Sequence, residues 1–179
     1  MRTFIAAELP EEIKEYLYNL EKQLKTKLPS KINWVHKKNL HITLKFLGEV
    51  KESDVEIIKN NLTNIKIKSF DLSLAKIGTF PQYGTPKVIW IGLTPEKPLI
   101  ELQQKVDEET IKYFSSAKFE AHLTLGRIRQ IKEREAFKKI LEQIEINKLN
   151  FKVDSFTLFE SILTKDGAKY KAIEKYSLI

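Results

Sequence analysis

Four residues, His41-Ile42-Thr43-Leu44, return 81 positions later as His122-Leu123-Thr124-Leu125, and the likeness extends beyond them. Aligning 41–80 with 122–161 without a gap also matches Lys51-Glu52 with Lys132-Glu133, Ile65 with Ile146, and Phe70 with Phe151. Identity is sparse, but the apolar pattern repeats with it, so the chain is constrained to build one unit twice. In each half a strand leads to a helix, then to the strand carrying His-x-Thr, a second helix and a further strand.

The first half reads as a strand over Thr3–Glu8 and a helix from Pro10 with Ile13, Leu17, Leu20 and Leu24 on one face. The His-x-Thr strand spans Leu40–Leu47. A helix over 51–65 follows, carrying Val55, Ile58, Leu62 and Ile65, and then a strand over Phe70–Ile77. The second half repeats this with Lys87–Leu93, a helix over 98–114, Phe119–Ile128, a helix over 132–146 and Phe151–Phe159. Both first helices open on proline and glutamate, Pro10-Glu11 and Pro95-Glu96, which a helix start tolerates. The breaker-rich stretch Gly78–Pro86 predicts the crossing between lobes. Lys165-Asp166-Gly167 predicts a final hairpin. These signals give an α+β chain of two pseudo-symmetric lobes, mostly antiparallel, in one domain over 1–179. The repeat covers about 1–80 and 87–161.

Alternation along a strand puts His41 and Thr43 on one face and Ile42 and Leu44 on the other, and the same holds for His122 and Thr124. One imidazole beside a hydroxyl is usually structural. Two copies in equivalent places make a joint site the better reading. Near neutral pH one imidazole can act as base while a second, protonated, acts as acid. An in-line displacement at phosphorus needs those two groups on opposite sides. Thr43 and Thr124 are then placed to donate hydrogen bonds to the non-bridging oxygens.

Composition narrows the alternatives. The chain has no cysteine, which removes disulfides, thiolate metal sites and cysteine nucleophiles. Paired histidines also suit zinc, but zinc takes three or four protein ligands and neither strand carries a carboxylate in step with its histidine. His36 lacks the threonine partner and reads as a surface or packing residue. No apolar run approaches the ~20 residues of a membrane span, and the charged N-terminus does not read as a signal peptide. The expectation is a cytosolic, soluble monomer. Lys+Arg 31 against Asp+Glu 24 gives a net charge of +7, suited to a polyanion. The excess is densest at Lys22, Lys25, Lys27, Lys31, Lys37 and Lys38, either a solvated face or a phosphate track toward His41. Abundant Lys, Glu and Ile with one Met resembles heat-adapted composition.

The residues resemble a known family, the two-histidine phosphoesterases, in particular the RNA 2',3'-cyclic phosphodiesterases also named 2'-5' RNA ligases. The resemblance rests on Arg2-Thr3-Phe4-Ile5-Ala6, Trp34-Val35, Asn39 through Glu49, Gly78-Thr79-Phe80-Pro81, Val88 through Gly92, and His122-Leu123-Thr124-Leu125-Gly126-Arg127. Ala121 departs from the proline that the family often has before its second histidine. The resemblance implies a cleft between two small sheets with outer helices, no metal or other cofactor, and RNA ends as partners, tRNA fragments among them. It implies opening of a terminal 2',3'-cyclic phosphate to a 2'-phosphate, with 2'-5' ligation as the reverse capability. His41 is then the proton donor, His122 the proton acceptor, and Arg127 lies near the phosphate. An odd offset from His122 turns Arg127 to the wrong face unless the strand bulges, which Gly126 permits. Trp34 and Trp90 could stack on a base, but their apolar neighbours assign both to the core. The competing class is a non-catalytic module that binds RNA ends.

Overall fold

Apolar side chains recur with period two in the strands and at helical spacing in the helices, and burial follows that pattern. The computed structural model describes residues 1–81, 83–110 and 118–179. The first half contains β1 (Arg2–Glu8), α1 (Glu11–Lys27), β2 (Ser30–Trp34), β3 (His41–Glu49), α2 (Glu52–Leu62) and β4 (Phe70–Phe80). The second contains β5 (Val88–Thr94), α3 (Glu96–Thr110), β6 (His122–Ile131), α4 (Arg134–Gln143), β7 (Asn150–Val153), β8 (Ser155–Thr164) and β9 (Gly167–Ser177). A single helical turn, Lys37–Asn39, precedes β3. Positions 111–114 of the helix predicted over 98–114 lie outside the described residues, as does Gln82 of the predicted crossing.

Two antiparallel sheets result, ordered β3-β1-β8-β9 and β2-β6-β5-β4-β7. The predicted crossing at Gly78–Pro86 is corrected here. β4 and β5 are direct neighbours in the second sheet, so this stretch is a hairpin connection within one sheet. Real crossings lie elsewhere. The strand predicted over Phe151–Phe159 divides at Asp154, with β7 pairing β4 in the second sheet and β8 pairing β1 in the first.

The halves exchange strands. The last strand of the first half, β4, lies beside β5, and β8 from the second half lies beside β1. The triplets β3-β1-β8 and β6-β5-β4 are therefore equivalent, and each is completed by the other half of the chain. β2 adds an edge beside β6. Its short Ser-Lys-Ile-Asn-Trp run shows only weak alternation in the sequence.

One hydrophobic cluster joins both sheets and all four helices. It contains Ile42, Leu44 and Leu47 of β3, Leu123, Leu125 and Ile128 of β6, and the predicted apolar stripes of α1 and α2. Leu99, Leu102 and Val106 of α3 and Phe137 of α4 complete it. Truncating such a side chain typically costs about 2–5 kcal/mol, so the backbone beneath each His-x-Thr is held firmly. Lys45 pairs with Ile5 and shares its core-facing side. There it reaches Asp107 of α3 in an ion pair, tying the two halves together. A second, smaller cluster of Phe4, Ala6 and Phe159, with Tyr170 packed on it, covers the opposite face of the first sheet.

The predicted final hairpin is β8–β9. Lys165 and Asp166 form its turn, and Gly167 takes φ +110°, a conformation costly for other residues. His36 meets the carbonyl of Asp166 at 3.3 Å, so it is a packing residue of the surface, in line with its reading from sequence.

Candidate active site

Residues directly opposite in an antiparallel pair share a face, which identifies the surface around each histidine. In the first sheet, Glu8, Ala6 and Phe4 oppose His41, Thr43 and Phe46. In the second, Gly92, Trp90 and Val88 oppose His122, Thr124 and Arg127. Both faces point away from the apolar residues Ile42, Leu44, Leu123 and Leu125, which are at most 2% exposed. β3 and β6 approach one another without pairing, bringing the two His-x-Thr strands side by side.

The two imidazoles are oriented in the same way. Nδ1 of His41 lies 2.6 Å from the carbonyl of Asn39, and Nδ1 of His122 lies 2.7 Å from that of Glu120. A carbonyl only accepts, so Nδ1 carries the proton in both rings and Nε2 is the nitrogen left for chemistry. Asn39 is itself fixed, its amide donating to the Ala168 carbonyl of β9 at 2.7 Å. His41 Nε2 lies 2.8 Å from the hydroxyl of Thr43. In the neutral ring that hydroxyl donates to Nε2; an incoming anion offers it another acceptor.

The surroundings of the two histidines differ. The ring of His41 touches Phe4 and the edge of Tyr170, with centroids 5.1 and 5.3 Å away. Burial under these rings pushes its pKa below the ordinary histidine value. The Asn39 carbonyl acts in the opposite direction, and the Lys14 cation adds to the lowering. His122 lies edge-on to Phe80 at 5.0 Å, with Trp90 at 6.5 Å.

Trp90 corrects the expectation of core packing. Its neighbours Ile89 and Ile91 are fully buried, whereas the indole lies on the opposite face, against Gly78 and Phe80 beside His122. A Cβ at Gly78 would run into the indole ring, so glycine is what lets Trp90 lie flat there. Trp34 does pack against the main core.

The predicted bulge is present, one residue earlier than expected. Pairing steps from Ile89–Gly126 to Trp90–Thr124, leaving Leu125 as the extra residue. The first sheet breaks at the equivalent place, where Ile5–Lys45 is followed by Ala6–Thr43 and Leu44 is extra. Each bulge changes the phase of its strand. Phe46 and Arg127, 81 positions apart, thereby join the histidine face, and both are exposed. Gly126 has a different role: a Cβ there would collide with Ile32 and the carbonyl of Asn33 on β2. Arg127 also acts on the other sheet, since its charge favours the phenolate of Tyr170, although burial pushes that pKa up overall.

Two recesses flank the histidines. One of about 300 Å³ beside His41 is lined by Lys14, Lys38, Lys169, Tyr170 and Glu8. The other, about 690 Å³, runs past His122 between Gly78, Phe80, Trp90 and Phe119. The lysine track expected from sequence is largely absent from this surface. Of its six residues only Lys38 lines the His41 recess, Lys37 is tied to Glu11 and Glu15, and Lys22 sits over the ring of Tyr18.

A family model described as LigT-like phosphoesterase matches residues 7–90 and again 91–170, once for each half. The chain belongs to the LigT-like phosphoesterase family. The RNA 2',3'-cyclic phosphodiesterase of Methanocaldococcus jannaschii is 34% identical over 179 residues, covering 98% of this chain and 100% of the relative. That of Archaeoglobus fulgidus is 34% identical over 178 residues, with 98% and 99% covered. Among solved structures, apo LigT of Escherichia coli superposes with a TM-score of 0.78 at 25% identity, covering 99% of this chain and 96% of that one. The same protein complexed with 3'-AMP gives 0.79 at 26%, with 99% and 97% covered. The two lobes are therefore the family's architecture. Among the described residues no helix is long and apolar enough to cross a membrane.

Several residues on the histidine faces of this LigT-like chain went unread in the sequence as site residues: Phe4, Asn39, Phe80 and Tyr170. Asn39 carried a usable signal, standing two residues before a histidine at the mouth of a strand. Tyr170 carried none, since only the fold of the final hairpin brings it to His41.

Proposed function

We propose that the chain hydrolyses the terminal 2',3'-cyclic phosphodiester of RNA to a 2'-phosphomonoester, with one histidine from each sheet as acid and base. His122 takes a proton from water as its oxygen bonds to phosphorus. The bond from phosphorus to the 3' oxygen breaks, and His41 gives that oxygen its proton. The products are a 2'-phosphate and a 3'-hydroxyl, with each histidine left in the other's starting protonation state. The observation that carries this reading is the matched pair of imidazoles, each anchored through Nδ1 to the carbonyl two residues earlier.

Thr43, Thr124 and Arg127 serve the phosphate. The hydroxyls donate to its non-bridging oxygens and the guanidinium balances the charge that builds on them, interactions that matter most where water is excluded. Burial lowers the pKa of His41, and the phosphodiester anion, on entering beside the ring, favours the protonated form that donates. The same displacement with an RNA 5'-hydroxyl in place of water yields a 2'-5' linkage, so ligation follows from one geometry. The step runs through the two imidazoles alone, and independence of a metal is part of the proposal. The names of the relatives support RNA as the substrate.

An oligoribonucleotide ending in 2',3'-cyclic phosphate, incubated with the protein in the presence of EDTA, tests the reading. Phosphorus NMR is expected to show a 2'-phosphomonoester as the sole new isomer. A 3'-phosphate would contradict the placement of the leaving oxygen, loss of turnover in EDTA would contradict metal independence, and tight binding without turnover would favour a binding module.

A further inference from the structure

A terminal cyclic phosphate is the 3' end of its RNA, so every other phosphate of the substrate leaves the cleft on one side. Two openings near the histidine faces are rich in cations, whereas the recess past His122 sets Lys76 against Glu96 and Glu120. The recess beside His41 offers Lys14, Lys38 and Lys169 but also the carboxylate of Glu8. The second is a groove of about 340 Å³ lined by Lys87, Arg127, Arg129 and Gln130, with Thr85 and Pro86 at its end. No carboxylate lines it, and none of its three cations is in an ion pair among the described residues. By contrast, the hollow at the end of α2 balances Lys59, Lys66 and Lys175 with Glu56 and Glu174.

Arg127 connects groove and cleft, because it lines the one and shares the histidine face of the other. Arg129 is held in place: with the amide of Asn33 turned to present its oxygen, that oxygen accepts from Nε and Nη2 of Arg129 at 2.9 and 3.1 Å. At the rim Arg134 donates to the Thr85 hydroxyl at 2.7 Å. Fixed guanidiniums without carboxylate partners suit phosphodiester oxygens.

Resting on the function proposed above, we infer that this groove is a backbone track for the nucleotides that precede the cyclic phosphate. Arg127 holds the boundary while Arg129 and Lys87 take successive phosphates. An RNA strand longer than a single nucleotide is therefore favoured, because the groove grips the backbone that precedes its cyclic phosphate.

The test compares kcat/KM for a short oligoribonucleotide ending in 2',3'-cyclic phosphate with that for a mononucleoside 2',3'-cyclic phosphate. The wild type is expected to favour the oligonucleotide by about tenfold or more at low salt and to lose most of that preference between about 50 and 200 mM salt, as two or three phosphate contacts require. In Lys87→Ala/Arg129→Ala, and in the milder Arg129→Gln, the ratio is expected to fall toward one. Lys68→Ala, which removes an exposed charge outside the groove, should keep it. Equal rates on both substrates in the wild type, or a preference that survives in both groove variants, would overturn the track. No turnover of either substrate by the wild type would instead overturn the proposed function itself.

Discussion

Replacing either His41 or His122 with alanine is expected to lower kcat/KM by about 10²–10⁴-fold, the range for loss of a positioned acid or base. The double variant is expected to lose little more than the worse single one, since groups that act together on one transition state are far from additive. The folded state should survive these changes. Both rings are only partly buried, and each is held to the protein through Nδ1 by one backbone carbonyl, so the cost in stability is about 1–2 kcal/mol at most. Circular dichroism and thermal unfolding separate loss of chemistry from loss of fold. Retention of full activity in either variant would rule out the two-histidine account.

The second large effect lies far from the chemistry, in α1. Glu21 occupies the helix's buried stripe with Leu17, Leu20 and Leu24 and is 1% exposed. One of its carboxyl oxygens has no hydrogen-bond partner. Burial raises its pKa from 4.5 to about 8, and the charge of Lys25 opposes this only in part. Because the folded protein then holds a proton that the unfolded chain releases, stability is greatest below the unfolded value. It falls as pH rises through the window from 4.5 to about 8. Glu21→Gln has no such ionisation. The difference in unfolding free energy between variant and wild type is therefore expected to shift by about 3–5 kcal/mol in the variant's favour between about pH 4 and pH 9. Denaturant titrations at several pH values measure it, and parallel curves for the two proteins would refute the buried acid.

Much of this arrangement was legible in the residues because it depends on local periodicity. Ile42 and Leu44 had to face the core once the strand was recognised, and that fixed where His41 and Thr43 point. Arg127 required a bulge, which the fold supplies at Leu125. Strand order was not legible. The exchange of β4 and β8 between the halves is decided by how two sheets close over a common core, and no local pattern in Phe70–Phe80 or Ser155–Thr164 encodes its partner. Trp90 shows a different kind of failure. Alternation alone places it opposite Ile89 and Ile91, but its apolar neighbours in sequence suggested the core. Tyr170 reaches His41 only because a hairpin folds back across the sheet, a contact between residues 129 positions apart.

The dependence of kcat/KM on pH, measured with an RNA ending in 2',3'-cyclic phosphate, tests the central claim most directly. The substrate does not titrate near neutrality, so the profile reports groups of the free protein. The account predicts a bell with two opposing limbs, one from each histidine. It also predicts that Tyr170→Ser, by admitting water to the ring of His41 and relieving the burial that lowers its pKa, moves one limb to higher pH and leaves the other in place. A profile with a single limb, or two limbs that both ignore Tyr170→Ser, would contradict it.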